Sequence, residues 1–217
     1  MTDERAERLV GGVIVYRPNR TLGHHLLVRQ GCTGLVPGET WVEGRAGLLN
    51  QTWALDFTTE TLYDGRRVRL LTMIDEGNRE GLEIAMGLSL PSRRVIRVVD
   101  ELVAVHGCPS AVRVDNGPEF TAQTFVDWCA DHRAAIHYIQ PGKPDQNAYI
   151  ERFNRTYRTE VLNAHLFESV AELRALTETW LRIHNSERPH DSLGRVPPLM
   201  FLPRPSSAGQ SLFAVST

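Results

Sequence analysis

The chain has almost no lysine: of its 24 basic residues, all but Lys143 are arginine. A GC-rich coding bias accounts for that better than selection for forked phosphate contacts. There is no excess of positive charge either, the formal net charge being -2. Any affinity for a polyanion must therefore come from a local patch. No apolar run approaches the ~18–20 residues of a membrane span. The N-terminus opens Met1-Thr2-Asp3-Glu4-Arg5, with no apolar stretch behind a basic start, and does not read as a secretory leader. The three cysteines, Cys32, Cys108 and Cys129, are too few and too scattered for a zinc ribbon or a disulfide framework. The expectation is a protein of the reduced cytoplasm, not bound to a membrane.

What is present is ordinary for a globular protein. With 217 residues, 41% apolar and 23% charged, the chain fits one domain with appendages and can bury a real core. Residues 1–49 show no sustained period beyond a short strand expected at 13–16. His24, His25 and Cys32 lack a fourth ligand at suitable spacing, and this segment receives no function. From Asn50 the pattern becomes regular. Trp53, Leu55 and Phe57 alternate with polar or small residues, as a strand requires. Asp64-Gly65 signals a hairpin turn into a second strand at 68–74, and Leu82, Ile84, Met86 and Leu88 alternate through a third. Pro91-Ser92 opens a helix whose inward residues are read as Val95, Val98, Val99, Leu102 and Val105. A fourth strand at 111–115, a helix from about Thr121, and a fifth strand at 135–139 follow. The last two strands should be parallel, because a helix crosses between them. After the loop Gln140-Pro141-Gly142-Lys143-Pro144 a helix is expected over 145–161. A last one starts at the capping box of Ser169 and Glu172 and carries Leu173, Leu176, Trp180 and Ile183. The fold class is α/β, a five-stranded mixed sheet of three antiparallel and two parallel strands flanked by helices. The divisions expected are an unassigned segment 1–49, a core 50–203 and a loose tail 204–217.

Three carboxylates stand out against this frame. Asp56 lies in the first strand on the face opposite Trp53, Leu55 and Phe57. Asp115 ends the fourth strand before Asn116-Gly117. Glu151 sits in the first turns of a helix, with 35 residues between it and Asp115. Singly, each has a plain explanation. An Asp before Asn-Gly forms a turn, and a Glu early in a helix serves its dipole. Asp56 is less comfortable, since a carboxylate inside an apolar strand needs partners. Brought together, the three would make a hard-oxygen cage for divalent cations. Two such ions ~3.5–4 Å apart suit phosphoryl transfer. Arg155 and Arg158 follow Glu151 at i+4 and i+7 on one polar helix face.

The words around these residues resemble the catalytic core of bacterial insertion-sequence transposases related to retroviral integrases. The matching strings are Asn50-Gln51-Thr52-Trp53-Ala54-Leu55-Asp56-Phe57, Val112-Arg113-Val114-Asp115-Asn116-Gly117-Pro118-Glu119-Phe120, Gln140-Pro141-Gly142-Lys143-Pro144, Gln146-Asn147-Ala148-Tyr149-Ile150-Glu151-Arg152-Phe153-Asn154, and Asn185-Ser186-Glu187-Arg188-Pro189-His190-Asp191-Ser192-Leu193-Gly194. The resemblance implies a ribonuclease-H-like fold and an acidic triad of Asp56, Asp115 and Glu151. It implies that the triad binds Mg²⁺ or Mn²⁺, as two ions, and performs strand cleavage and strand transfer. Its partners would be element-end and target DNA, further copies of the chain, and a separate DNA-binding protein from an upstream reading frame. Lys143, Asn147, Arg155 and Arg158 are the candidate DNA contacts. The chain departs from the family pattern in residues 1–49, which show neither a helix-turn-helix nor a basic cluster. That leaves a catalytically idle DNA-binding or oligomerising remnant, and a structure-specific nuclease, as competing readings.

Overall fold

The computed structural model describes residues 9–10, 13–14, 48–140, 142 and 144–204. Strands β1 (Leu9–Val10) and β2 (Val13–Ile14) form a small antiparallel pair. His24, His25, Cys32 and Lys143 lie outside the described residues. The main sheet begins with β3 (Thr52–Thr61), β4 (Arg67–Asp75) and β5 (Glu80–Gly87), an antiparallel meander. Gly65, at φ 84°, turns β3 into β4, as its lack of a Cβ permits. Helix α1 (Ser92–His106) then crosses to β6 (Ala111–Val114). Short α2 (Pro118–Thr121) and α3 (Gln123–Asp131) cross to β7 (Ala135–Tyr138). Sheet order is β5-β4-β3-β6-β7, with β3, β6 and β7 mutually parallel. The expected five-stranded mixed sheet is the one observed.

A 3₁₀ turn at Pro144–Asn147 leads into α4 (Ala148–Tyr157), which ends in a π-helical turn, Arg158–Leu162. The helix expected as one piece over 145–161 is thus three segments of different winding. Helix α5 (Val170–Ser186) starts at the expected cap, Glu172 N–H donating to Ser169 Oγ at 3.2 Å. A short α6 (Pro198–Phe201) follows. No helix among the described residues is long and apolar enough to cross a membrane.

Strand alternation sends successive side chains to opposite faces, and both faces are buried. Trp53, Leu55, Val112 and Val114 pack with Val95, Val99 and Phe125 of α1 and α3. Ala54, Leu70, Ile74 and Ile84 pack with Ile150, Phe153 and Tyr157 of α4 and Trp180 of α5. Two residues expected inward are not. Val105 is 73% exposed and Ile183 is 37% exposed. At 100° per residue each is rotated roughly 80° from its helix's first core residue, Val95 or Leu173. In α5 the central inward places go to the polar Thr177 and His184, both buried. Leu88, expected to close the third strand, lies beyond its end and is exposed.

The corner where β3 begins is held by charge. Arg204 Nη2 lies 3.0 Å from Asp75 Oδ2 and its Nε lies 2.6 Å from Glu80 Oε2. Its Nη1 donates to Asn50 Oδ1 at 3.0 Å. Ordered packing therefore continues to Arg204, the first residue of the expected tail.

Helix α5 meets the sheet edge at Gly81, whose N–H donates to Asn185 Oδ1 at 2.9 Å while its carbonyl accepts from Asn185 Nδ2 at 2.8 Å. A Cβ there would stand 2.4 Å from Leu181 Cδ1 and 2.8 Å from Phe153 Cε2. Gly81→Ala should therefore cost about 1–3 kcal/mol, read as a lower urea midpoint at unchanged m-value. An unchanged midpoint would show that α5 can withdraw from the sheet edge freely.

Candidate active site

Asp56 occupies the middle of β3, opposite Thr72 of β4. The parallel register pairs Thr52 with Ala111 and Ala54 with Arg113. Continued by two residues, it sets Asp56 beside Asp115, just past the end of β6. Asp115 heads a tightly braced turn. Gly117 N–H donates to Asp115 Oδ1 at 2.8 Å and Asn116 Nδ2 donates to the Ile139 carbonyl at 2.9 Å. A Cβ on Gly117 would come within 2.8 Å of that same Oδ1, so a larger residue would push the Asp115 carboxylate aside. Beyond the turn, Tyr138 Oη donates to the Phe120 carbonyl at 2.9 Å, and Arg69 pairs with Glu119.

Glu151 projects from the first turn of α4, exposed. Three residues on, Asn154 Nδ2 donates to Asp56 Oδ2 at 2.8 Å, while Phe57 N–H donates to Asp56 Oδ1 at 2.9 Å. The Asp56 carboxyl is pushed up to about 6. Burial is the main cause, and the negative charges of Asp115 and Glu151 add to it against those two hydrogen bonds. The three acids thus share one electrostatic neighbourhood. Among the described residues no three His, Cys, Asp or Glu side chains form a ready-made coordination group. The carboxylates are neighbours that feel one another's charge, not a closed cage.

The other candidates fall differently. Arg155 is exposed on α4. Arg158 turns back to the sheet instead, its Nη2 donating to Thr58 Oγ1 at 2.6 Å and to the Thr59 carbonyl at 2.9 Å, with Glu60 3.6 Å away. Its backbone keeps the α-helical geometry of α4 at φ -59° and ψ -46°, so the i+7 spacing holds and the partners on β3, not the winding, turn the side chain away. Asn147 is 6% exposed at the start of α4, with its Oδ1 buried and without a hydrogen-bond partner. Asn154 was absent from the candidates. Its i+3 spacing from Glu151 is the signal that could have found it.

A five-stranded mixed sheet with these crossovers and helices on both faces is the ribonuclease-H-like fold of retroviral integrase cores. A chain of the simian T-cell lymphotropic virus intasome matches with TM-score 0.61 and 19% identity, over 84% of this chain and 66% of that one. The HTLV-2 integrase catalytic core, solved in complex with magnesium, matches with TM-score 0.58 and 20% identity, over 71% of this chain and 98% of that one. Two family models described as integrase core domain match residues 49–144 and 132–198, and the chain belongs to that family. It is 43% identical over 152 residues to the insertion element IS476 uncharacterized 39.2 kDa protein of Xanthomonas euvesicatoria, covering 70% of this chain and 44% of that protein. It is 39% identical over 155 residues to the insertion element IS407 uncharacterized 31.7 kDa protein of Burkholderia multivorans, covering 71% and 56%. The chain spans about half the length of these curated relatives.

The raised Asp56 acid has a consequence for stability. From pH 3.8, its ordinary value, toward about 6, the unfolded chain ionises while the folded one holds the proton, so stability falls as pH rises. Below that window both states are protonated and the penalty vanishes. Without metal, Asp56→Asn should raise stability at pH 8 by on the order of 1–3 kcal/mol and give no gain at pH 3.5. Equal shifts at both pH values in thermal unfolding would show that the carboxylate carries no such burden.

Proposed function

We propose that the chain is the catalytic core of an insertion-sequence transposase, which cuts DNA at an element end and joins it to target DNA. The raised pKa of Asp56, produced in part by the charges of Asp115 and Glu151, carries this reading: the three carboxylates are near enough to feel one another's charge. Such a set of hard oxygens fits divalent Mg²⁺ or Mn²⁺, and Asp56, Asp115 and Glu151 would hold two ions. Bound there, the ions would activate the attacking hydroxyl and offset charge on the transferring phosphate and leaving oxygen.

The chain's own residues supply position. Asn154 and the Phe57 N–H orient the two oxygens of Asp56, and the Gly117 N–H orients Asp115. Glu151 comes from a separate element, so α4 determines how closely the third carboxylate approaches. Preorganised carboxylates need no rearrangement as charge develops on the phosphate. Arg155, exposed beyond Glu151, is suited to a DNA phosphate; Lys143 and Asn147 flank the approach in sequence. Arg158 could join them only by leaving Thr58 and Glu60. Partners would be element-end and target DNA, further copies of the chain, and a separate end-recognition protein, acting on DNA in the bacterial cytoplasm.

Incubating purified protein with Mn²⁺, a pre-cut element end and target DNA tests the reading. Joined products are expected, and Asp56→Asn, Asp115→Asn or Glu151→Gln should each lower joining by on the order of 10²-fold or more with the fold intact. Cleavage without joining would indicate a nuclease, and bound but unreacted DNA an idle remnant. Substantial joining by any of the three variants would refute the triad.

Lys143→Ala should weaken binding to all DNA sequences alike and lower the slope of log affinity against log salt by about one. An unchanged slope would remove Lys143 from the interface.

A further inference from the structure

We propose that a cluster of buried Arg113 and Glu76 with half-buried Arg79 positions Glu151 against the end of β6, where Asp115 lies; the inference rests on the reading of the three carboxylates above. Glu76 lies in the turn between β4 and β5 and is 1% exposed. Its N–H donates to the Thr52 carbonyl at 3.0 Å, fastening the turn to the start of β3. Its carboxylate stands 3.2 Å from Arg113 Nη1. Burial pushes the Glu76 acid up, and the charges of Arg113 and Arg79 pull it back.

Both guanidinium groups grip the start of α4. Arg113 lies two residues before Asp115, on the same face of the chain. Its Nη1 also donates to the Gln146 carbonyl at 2.6 Å. Gln146 belongs to the 3₁₀ turn that runs into α4, five residues before Glu151. Arg79 donates to the Glu76 carbonyl and lays its guanidinium over the Tyr149 ring, 3.3 Å from the centroid. Tyr149 is two residues before Glu151. Glu76 thus meets Arg113 through its carboxylate and Arg79 through its carbonyl, and the two cations clamp the entry to α4 from its backbone and from a ring.

Stability alone is a weak reason for such a cluster. Well-packed apolar replacements of buried ion pairs are often as stable or more so. Direction is the better reason. The apolar stripe of α4 tolerates small rotations, whereas the Arg113 hydrogen bond and the Arg79 stack hold one orientation. A group built on another element must be held to within a fraction of an ångström to act with Asp56 and Asp115.

The test uses the full chain and two readouts, amide hydrogen exchange without metal and Mn²⁺ affinity by electron paramagnetic resonance. The double variant Glu76→Leu with Arg113→Met removes the ion pair and the hydrogen bond to Gln146, and leaves Arg79 its Glu76 carbonyl and its Tyr149 ring. Leu102→Ala, on the other side of the sheet, serves as the destabilised control. The double variant should exchange amides of residues 148–154 at least tenfold faster, with those of α5 unchanged, and bind Mn²⁺ at least tenfold more weakly. The control should keep wild-type values of both. Wild-type exchange in α4, or faster exchange with wild-type Mn²⁺ affinity, overturns the inference. If the double variant does not fold, Arg79→Met decides: α4 exchange should rise threefold or more, and unchanged exchange overturns the inference. If α4 loosens as expected but the wild type binds no Mn²⁺, the cluster's hold on α4 stands and the metal reading of the carboxylates fails.

Discussion

Three residue pairs, Thr52–Ala111, Trp53–Val112 and Ala54–Arg113, join the two strands on which everything else is placed. The contact is short because β6 has four residues, all buried. Its register is nonetheless firm. Val112 and Val114 face the cluster built by α1 and α3, so Arg113 and the position of Asp115 must face the other way. A slip of one residue would drive Arg113 into that apolar cluster and lift the valines out of it. The burial of two methyl-bearing side chains therefore dictates where a carboxylate points.

The same constraint explains how like charges are kept together. Each of the three acids is mounted on a different support: Asp56 within a strand paired on both sides, Asp115 in a turn closed by Asn116 and Gly117, Glu151 on a packed helix. Their repulsion would disperse flexible side chains on a loop. Here it is opposed by strand pairing, by the Asn154 and Phe57 hydrogen bonds, and by the burial of Ile150, Phe153 and Tyr157 beneath α4. The opposition shows in Asp56, whose carboxyl is pushed up to about 6 by burial and by the neighbouring charges.

Much of this was legible in the sequence because burial on both faces leaves a strong period-2 record. Trp53, Leu55 and Phe57 marked the first strand and set Asp56 on the opposite face. The helix crossover between the last two strands announced parallel pairing, and Ser169 with Glu172 announced the last helix. Helical periodicity was less dependable at the ends of elements. Val105 and Ile183 are apolar and near the right spacing, yet rotation around the helix carries them to the rim. Thr177 and His184 hide in the core because Tyr157 Oη lies 2.6 Å from Thr177 Oγ1 and the His184 ring packs on Phe153 and Trp180. Polarity at those positions conceals burial that hydrogen bonds and ring contacts permit. Arg158 was misleading for a different reason: helical spacing places its backbone, while Thr58, Thr59 and Glu60 draw its side chain back to the sheet. Asn154 and Arg113 act across long separations, on Asp56 and on Gln146; the i+3 spacing from Glu151 hints at the first, and nothing local marks the second.

The Arg204 corner has a topological meaning. One guanidinium binds Asn50 just ahead of β3 and also Asp75 and Glu80 in the second and third strands. Residues at the two ends of the described core, Asn50 and Arg204, therefore lie side by side at the start of β3, several residues along the strand from Asp56. A unit whose ends meet can be spliced into a longer chain, or opened elsewhere and rejoined there, without disturbing its interior. For an integrase-type core this separates two demands: neighbouring segments can vary at one corner while the carboxylates farther along the strands keep their geometry.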